Sequence, residues 1–259
     1  MKRIFGILLT VCLYCTGTTA QETHMTLPYQ NWYSFERPTE NYTGNFLRSS
    51  IAPAALAGLG LLIQANPDFK QRLQSHLDWN QDWKVPMYED ELRWTPYLVG
   101  GLLPAFGLYP QHKPLHALPL ALTSYLFADF CIHRLKIATT IQRPNEKLQH
   151  LFNSFPSQHT SMAFVAATLI HLEYGHYSPW ISIGCYGVAS YVGYTRIAQN
   201  YHWTSDVLVG AAIGTFCTHL VYFAYEALAD GLTRNKQQRL NMLPSFDGQH
   251  ASLSLNYQF

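Results

Sequence analysis

Six apolar segments, near residues 51–63, 97–109, 115–135, 160–173, 180–194 and 207–228, decide what this chain can fold into. Their Ala, Leu and Gly content and their length argue for helices rather than strands. The expected fold is all-α: a bundle of about six apolar helices with the functional site at loop–helix junctions on one end. Charged residues supply only 13% of the chain, against roughly 25% in ordinary soluble proteins. The 17 Lys and Arg nearly cancel the 16 Asp and Glu, so no nucleic-acid partner is expected. A hydrophobic share of 48% excludes a disordered chain. Mean hydropathy is nonetheless only −0.07, low for a chain made mostly of membrane spans.

The flanks of the six segments have characters of their own. Lys2 and Arg3, an apolar stretch over 4–17 and the small residues Thr18, Thr19 and Ala20 read as a secretory signal, with an uncleaved anchor as the alternative. Residues 21–50 read as an irregular lead-in, 51–234 as the helical domain and 235–259 as a polar tail. In that tail Leu253, Leu255, Tyr257 and Phe259 alternate at the period of a strand. One strand cannot make a sheet, so a packed tail is expected. The connection 64–95 interleaves ten charged residues with Trp79, Trp83 and Trp94 and reads as an exposed excursion, helical or looped. Cys131, Cys185 and Cys217 each lie in an apolar run and are expected as buried free thiols.

Three short blocks at segment junctions concentrate reactive side chains. The first runs from Lys136 to Arg143 and Pro144 at the end of the third segment. Pro144 is expected to stop that helix, and two cations two turns apart without an acid call for an anion between them. A snorkelling basic helix end is the competing reading. The second block is Pro156, Ser157, Gln158 and His159 ahead of the apolar run from Met162. Ser157 suits an N-cap, where free N–H groups meet an anion, and His159 could protonate a leaving oxygen. The third runs from Thr195 and Arg196 to His202 and Asp206. A carboxylate four residues after a histidine can hold one ring nitrogen and leave the other nucleophilic, and Arg196 can clamp anionic oxygens. Alone, such a pair is more often a structural hydrogen bond. The chain has no His-Glu-x-x-His motif and the three blocks bring no carboxylate cluster to hold magnesium, so no metal and no cofactor is expected.

Together the blocks resemble the signature of the type 2 phosphatidic acid phosphatase family, whose site is shared with vanadium haloperoxidases: Lys-x6-Arg-Pro, Pro-Ser-Gly-His and Ser-Arg-x5-His-x3-Asp. The resemblance covers about residues 115–228 and departs at Gln158, where the family has Gly, and at Thr195, where it has Ser. It implies hydrolysis of a phosphomonoester or pyrophosphate. His202 would attack phosphorus, Asp206 would orient it, and His159 would serve the leaving group and then the water. Lys136, Arg143, Ser157 and Arg196 would hold the phosphate oxygens. With the signal and the apolar helices, it implies a membrane partner and a phosphorylated lipid substrate: lipid A, undecaprenyl pyrophosphate or phosphatidylglycerol phosphate. The expected location is the cell envelope, at the inner membrane, with the site facing the periplasm. The alternatives are a soluble, non-specific acid phosphatase of the periplasm and an inactive relative that only binds. If all the segments crossed the bilayer, Lys136 would reach the cytoplasm, so at least one must lie flat or stay inside the fold.

Overall fold

The computed structural model describes residues 41–77, 89–148 and 150–237, together with two strands at 241–246 and 251–256. The expected signal, most of the lead-in, Trp79, Trp83 and the last three residues lie outside the described residues.

All six apolar segments are helical. The order is α1 (Tyr42–Ser49), α2 (Ile51–Ala65), α3 (Pro67–Leu77), α4 (Glu89–Leu92), α5 (Thr95–Leu102), α6 (Pro114–Thr139), α7 (Gln158–Tyr174), α8 (Pro179–Ala198) and α9 (Thr204–Gln237). Part of the lead-in departs from expectation. Asn41 caps α1 by accepting the Gly44 N–H at 3.2 Å, and Phe46 stacks on Phe223 of α9 with ring centroids 4.7 Å apart. That tertiary contact, invisible in a short polar stretch, secures the helix. The tail also needs correcting. Asn241–Phe246 (β1) and Ala251–Asn256 (β2) form an antiparallel pair, with Asn241 opposite Asn256 and Phe246 opposite Ala251. The period-two pattern had a partner after all, disguised by Pro244, which an edge strand tolerates.

Burial explains the layering. α7 is enclosed on nearly every side, with Val165, Ala166 and Ala167 fully buried, as an all-round apolar helix must be. α9 packs against α2, α6 and α7, while α8 covers the other side of α7. Small residues permit the closest approaches. A Cβ on Gly210 of α9 would come within 2.5 Å of the Ser157 carbonyl oxygen, and one on Gly60 of α2 within 2.7 Å of Val209. These contacts bring the start of α7 against the start of α9.

α6 is apolar on both faces. Leu120, Ser124, Ala128 and Ile132 turn inward, and Leu118, Leu122, Leu126 and Phe130 turn outward, all four more than half exposed. Small Ser124 and Ala128 inside allow close packing, and large apolar residues outside suit a helix with lipid around it. Three described stretches are long and apolar enough to cross a membrane: Tyr42–Ala65, Pro114–Thr139 and Thr204–Leu232. α7 and α8 are not among them.

Candidate functional site

α6 ends sooner than Pro144 suggests. Thr140 closes it in the left-handed region at φ 44°, so Lys136 remains on the last helical turn and Arg143 lies beyond it. The two cations do not share a helix face; they share Asn153. Its carbonyl oxygen accepts from Lys136 Nζ at 2.6 Å, and its Oδ1 accepts from Arg143 Nε at 3.1 Å. The turn before α7 thus ties both cations to the mouth of a cavity of about 520 Å³.

That cavity is lined by Lys136, Arg143, Gln158, His159 and His202, with His133 of α6 beside them. His159 enters from the first turn of α7 and His202 from the turn before α9. The fold therefore brings four of the seven expected residues onto one surface. The other three stand behind it. Asp206 is fully buried and its Oδ2 lies 3.5 Å from His202 Nδ1. The same oxygen accepts from Ser154 Oγ at 2.5 Å and from the Trp203 backbone N–H at 3.0 Å. Held by those donors, the carboxylate cannot swing away. At 3.5 Å the His–Asp contact is longer than a formed hydrogen bond, as catalytic pairs often are before substrate tightens them.

Ser157 is also fully buried. It occupies the N-cap position of α7, yet its hydroxyl pairs with the Thr160 hydroxyl at 2.9 Å rather than with a backbone N–H. Its own N–H donates to the Asp206 carbonyl oxygen at 3.0 Å. The expected side-chain cap is not formed, and Ser157 acts here as a weld between α7 and α9. Arg196 is buried, with its guanidinium 5.6 Å from the centre of the Tyr201 ring. Its carbonyl oxygen accepts from the N–H groups of Tyr201 and His202, and Asn200 makes the turn at φ 56°. Thr195 spends its hydroxyl on the Val192 carbonyl oxygen at 2.7 Å, so the exchange from Ser leaves the cavity untouched.

Electrostatics favour a neutral His202. Burial pushes its pKa below the ordinary histidine value, Lys136 and Arg143 push the same way, and Asp206 opposes them. A neutral ring with Nδ1 toward Asp206 leaves Nε2 as the nitrogen available for chemistry. Behind it, Lys70 of α3 sits 4.4 Å over the Trp203 ring, and Trp203 Nε1 donates to the Gln142 carbonyl oxygen at 2.8 Å.

Several participants escaped the sequence reading. Asn153 and Ser154 carry no signal of their own, since a bare Asn or Ser in a loop is common. Asp129, seven residues before Lys136 on α6, accepts from Gln158 Nε2 at 2.6 Å; heptad spacing from Lys136 was the one available cue. His133, one turn before Lys136 on α6, lines the cavity as well.

Fold and cavity together describe a mainly helical protein with candidate membrane spans and a cavity lined by histidines and cations. Residues 117–229 of the chain match the model of the PAP2 superfamily. A stretch of 71 residues is 56% identical to a lipid A 1-phosphatase of Porphyromonas gingivalis, covering 27% of this chain and 16% of that protein's length. Two crystal structures overlap it in part. LpxE of Aquifex aeolicus shares 24% identity at a TM-score of 0.43, covering 59% of this chain and 93% of its own. A transmembrane PAP2-type phosphatidylglycerolphosphate phosphatase of Bacillus subtilis shares 18% at 0.45, covering 71% and 96%.

Proposed function

We propose that this chain is a membrane-embedded phosphatase that removes phosphate from a lipid through a phosphohistidine at His202. The observation that carries the reading is the cavity itself: Lys136 and Arg143 converge where His159 and His202 also open. His202 Nε2 attacks phosphorus as the bond to the leaving oxygen breaks, and His159 gives that oxygen its proton. In the second half His159 takes a proton from water, the water oxygen attacks phosphorus, and the N–P bond breaks to release phosphate. Lys136 and Arg143 neutralise the charge gathering on the non-bridging oxygens. Arg196 and Ser157 act from behind by holding the turns that carry His202 and His159.

The substrate class is a phosphorylated membrane lipid, supported by apolar side chains such as Phe152 and Ile137 at the cavity rim, both more than half exposed. The identity to a lipid A 1-phosphatase favours lipid A among the three candidates. The cell envelope is the expected location, with the site on the periplasmic face. That orientation has a topological cost. Tyr42 contacts Phe223, far along α9 from His202, so residue 42 and the site lie at opposite ends. A periplasmic site therefore needs residue 42 on the cytoplasmic face, which a single cleaved signal would not deliver.

The test is a panel of lipid A, undecaprenyl pyrophosphate and phosphatidylglycerol phosphate offered to the purified full chain and to His202→Ala. Phosphate release by the wild type alone supports the reading. Equal release by both, or by neither, overturns it.

A further inference from the structure

At the second motif's departure, Gln158 stands where the family has Gly, and it lines the cavity next to His159. Its amide is not loose. Nε2 donates to Asp129 Oδ1 at 2.6 Å. A carboxylate only accepts, so the NH2 end must face Asp129. The amide orientation is therefore fixed, and Oε1, which makes no other hydrogen bond among the described residues, is the end left over. An acceptor beside a phosphate site is a poor neighbour for phosphate oxygens, which are acceptors too. It suits a donor attached near the phosphate.

The surroundings say which part of a substrate passes here. Asp129 lies inside the candidate span Pro114–Thr139, where an ionisable residue is costly and is retained for a function. Its chain neighbour Phe130 is 61% exposed and Ile137, on the cavity rim, is also 61% exposed. The polar pair thus interrupts an apolar, outward-facing strip beside the cavity. A lipid approaching along that strip with its phosphate on Lys136 and Arg143 presents its head group to Gln158.

We infer that Gln158, its amide oriented by Asp129, reads a hydroxyl or N–H donor on the head group next to the scissile phosphate. The inference rests on the phosphatase reading and deepens it. The preferred substrates are then phosphates on a sugar or polyol, and simple alkyl or polyprenyl phosphates without such a donor are the poorer ones. Gln158 touches substrate, whereas Asp129 acts through it as a positioning residue.

The experiment compares two probes in detergent micelles with the purified full chain: an N-acylated glucosamine 1-phosphate and dodecyl phosphate. The readout is the ratio of their kcat/KM values. One hydrogen bond to a neutral donor is worth about tenfold, so wild type should favour the sugar phosphate by about that factor. In Gln158→Met the ratio should fall to near one. Asp129→Ala should lower it in the same direction, and Asp129→Asn, which keeps an acceptor for Nε2, should restore it. A tie that merely holds α6 to α7 would slow both probes alike and leave the ratio where it was, and that result overturns the inference alone. Turnover of neither probe by wild type overturns the phosphatase reading, and the inference with it.

Discussion

Two buried histidine–carboxylate pairs sit at opposite ends of this bundle. Before α6, His112 meets Glu173 at the end of α7: the backbone N–H donates to Oε2 at 2.9 Å, and Nδ1 lies 3.0 Å from Oε1. Tyr222 donates to that same Oε1 at 2.5 Å. Before α9, His202 stands 3.5 Å from Asp206. Tyr222 is 18 residues beyond Thr204 on α9, which places the two pairs about 27 Å apart along the helix. The residue chemistry is nearly the same, and the surroundings divide the roles. Glu173 draws its ring into a saturated network between α6, α7 and α9, with Tyr222 and Tyr225 edge-on to it at 5.4 Å. Asp206 is saturated by Ser154 and Trp203 instead, and its histidine faces Lys136 and Arg143 across a cavity. On the proposed function, the carboxylate that fully engages its histidine builds structure, and the one anchored elsewhere leaves its histidine for chemistry.

The contrast breaks most sharply under substitution. His202→Ala should lower phosphate release from a lipid phosphate by about 10⁴-fold or more with thermal unfolding little changed. Residual turnover near the wild-type rate would move the nucleophile elsewhere. Asp206→Asn should follow at about 10³- to 10⁴-fold, because the ring loses its orienting charge. Glu173→Ala should do the reverse. It strands His112 and the Tyr222 hydroxyl in the core and should cost about 3 kcal/mol or more of stability, read by unfolding in detergent, while the folded fraction still turns over. Loss of turnover at unchanged stability would erase the distinction between the two ends.

The pH profile sharpens the same point. Burial holds the folded His202 pKa below its ordinary value, so the ring stays neutral and nucleophilic as pH falls past about 6.5. The acid limb of kcat/KM should therefore lie below that of an ordinary histidine. For stability the sign is fixed by the same shift: the unfolded chain takes up the proton first, so stability is lost as pH falls from the unfolded value through the folded one. The smallest effect is expected at Asn153→Ala, at most about tenfold in kcat/KM, since it frees Arg143 from Oδ1 while the backbone carbonyl at 153 still holds Lys136.

Much of this is legible in the sequence. The six segments became helices because their apolar content fixes burial whatever the neighbours do. The meeting of Lys136, Arg143, His159 and His202 at one cavity was legible only from the three blocks taken together, since each block alone reads as an ordinary helix end or start. What stayed hidden depends on pairing across the chain. α1 needs Phe223, 177 residues after Phe46, and β1 needs β2 to offset Pro244. Asn153 is recognisable only once Lys136 and Arg143 are seen to share it, and Ser157, a plausible cap, turns its hydroxyl to Thr160.

The central claim is that His202 becomes covalently phosphorylated. Rapid acid-free quenching of the full chain during turnover of a lipid phosphate, followed by mass spectrometry of the peptide around residue 202, tests it directly. The account predicts a phosphate on the His202 ring that is labile to acid, stable to base and absent from His202→Ala. Phosphate found on another side chain, or an unmodified His202 in an enzyme turning over at full rate, would contradict it.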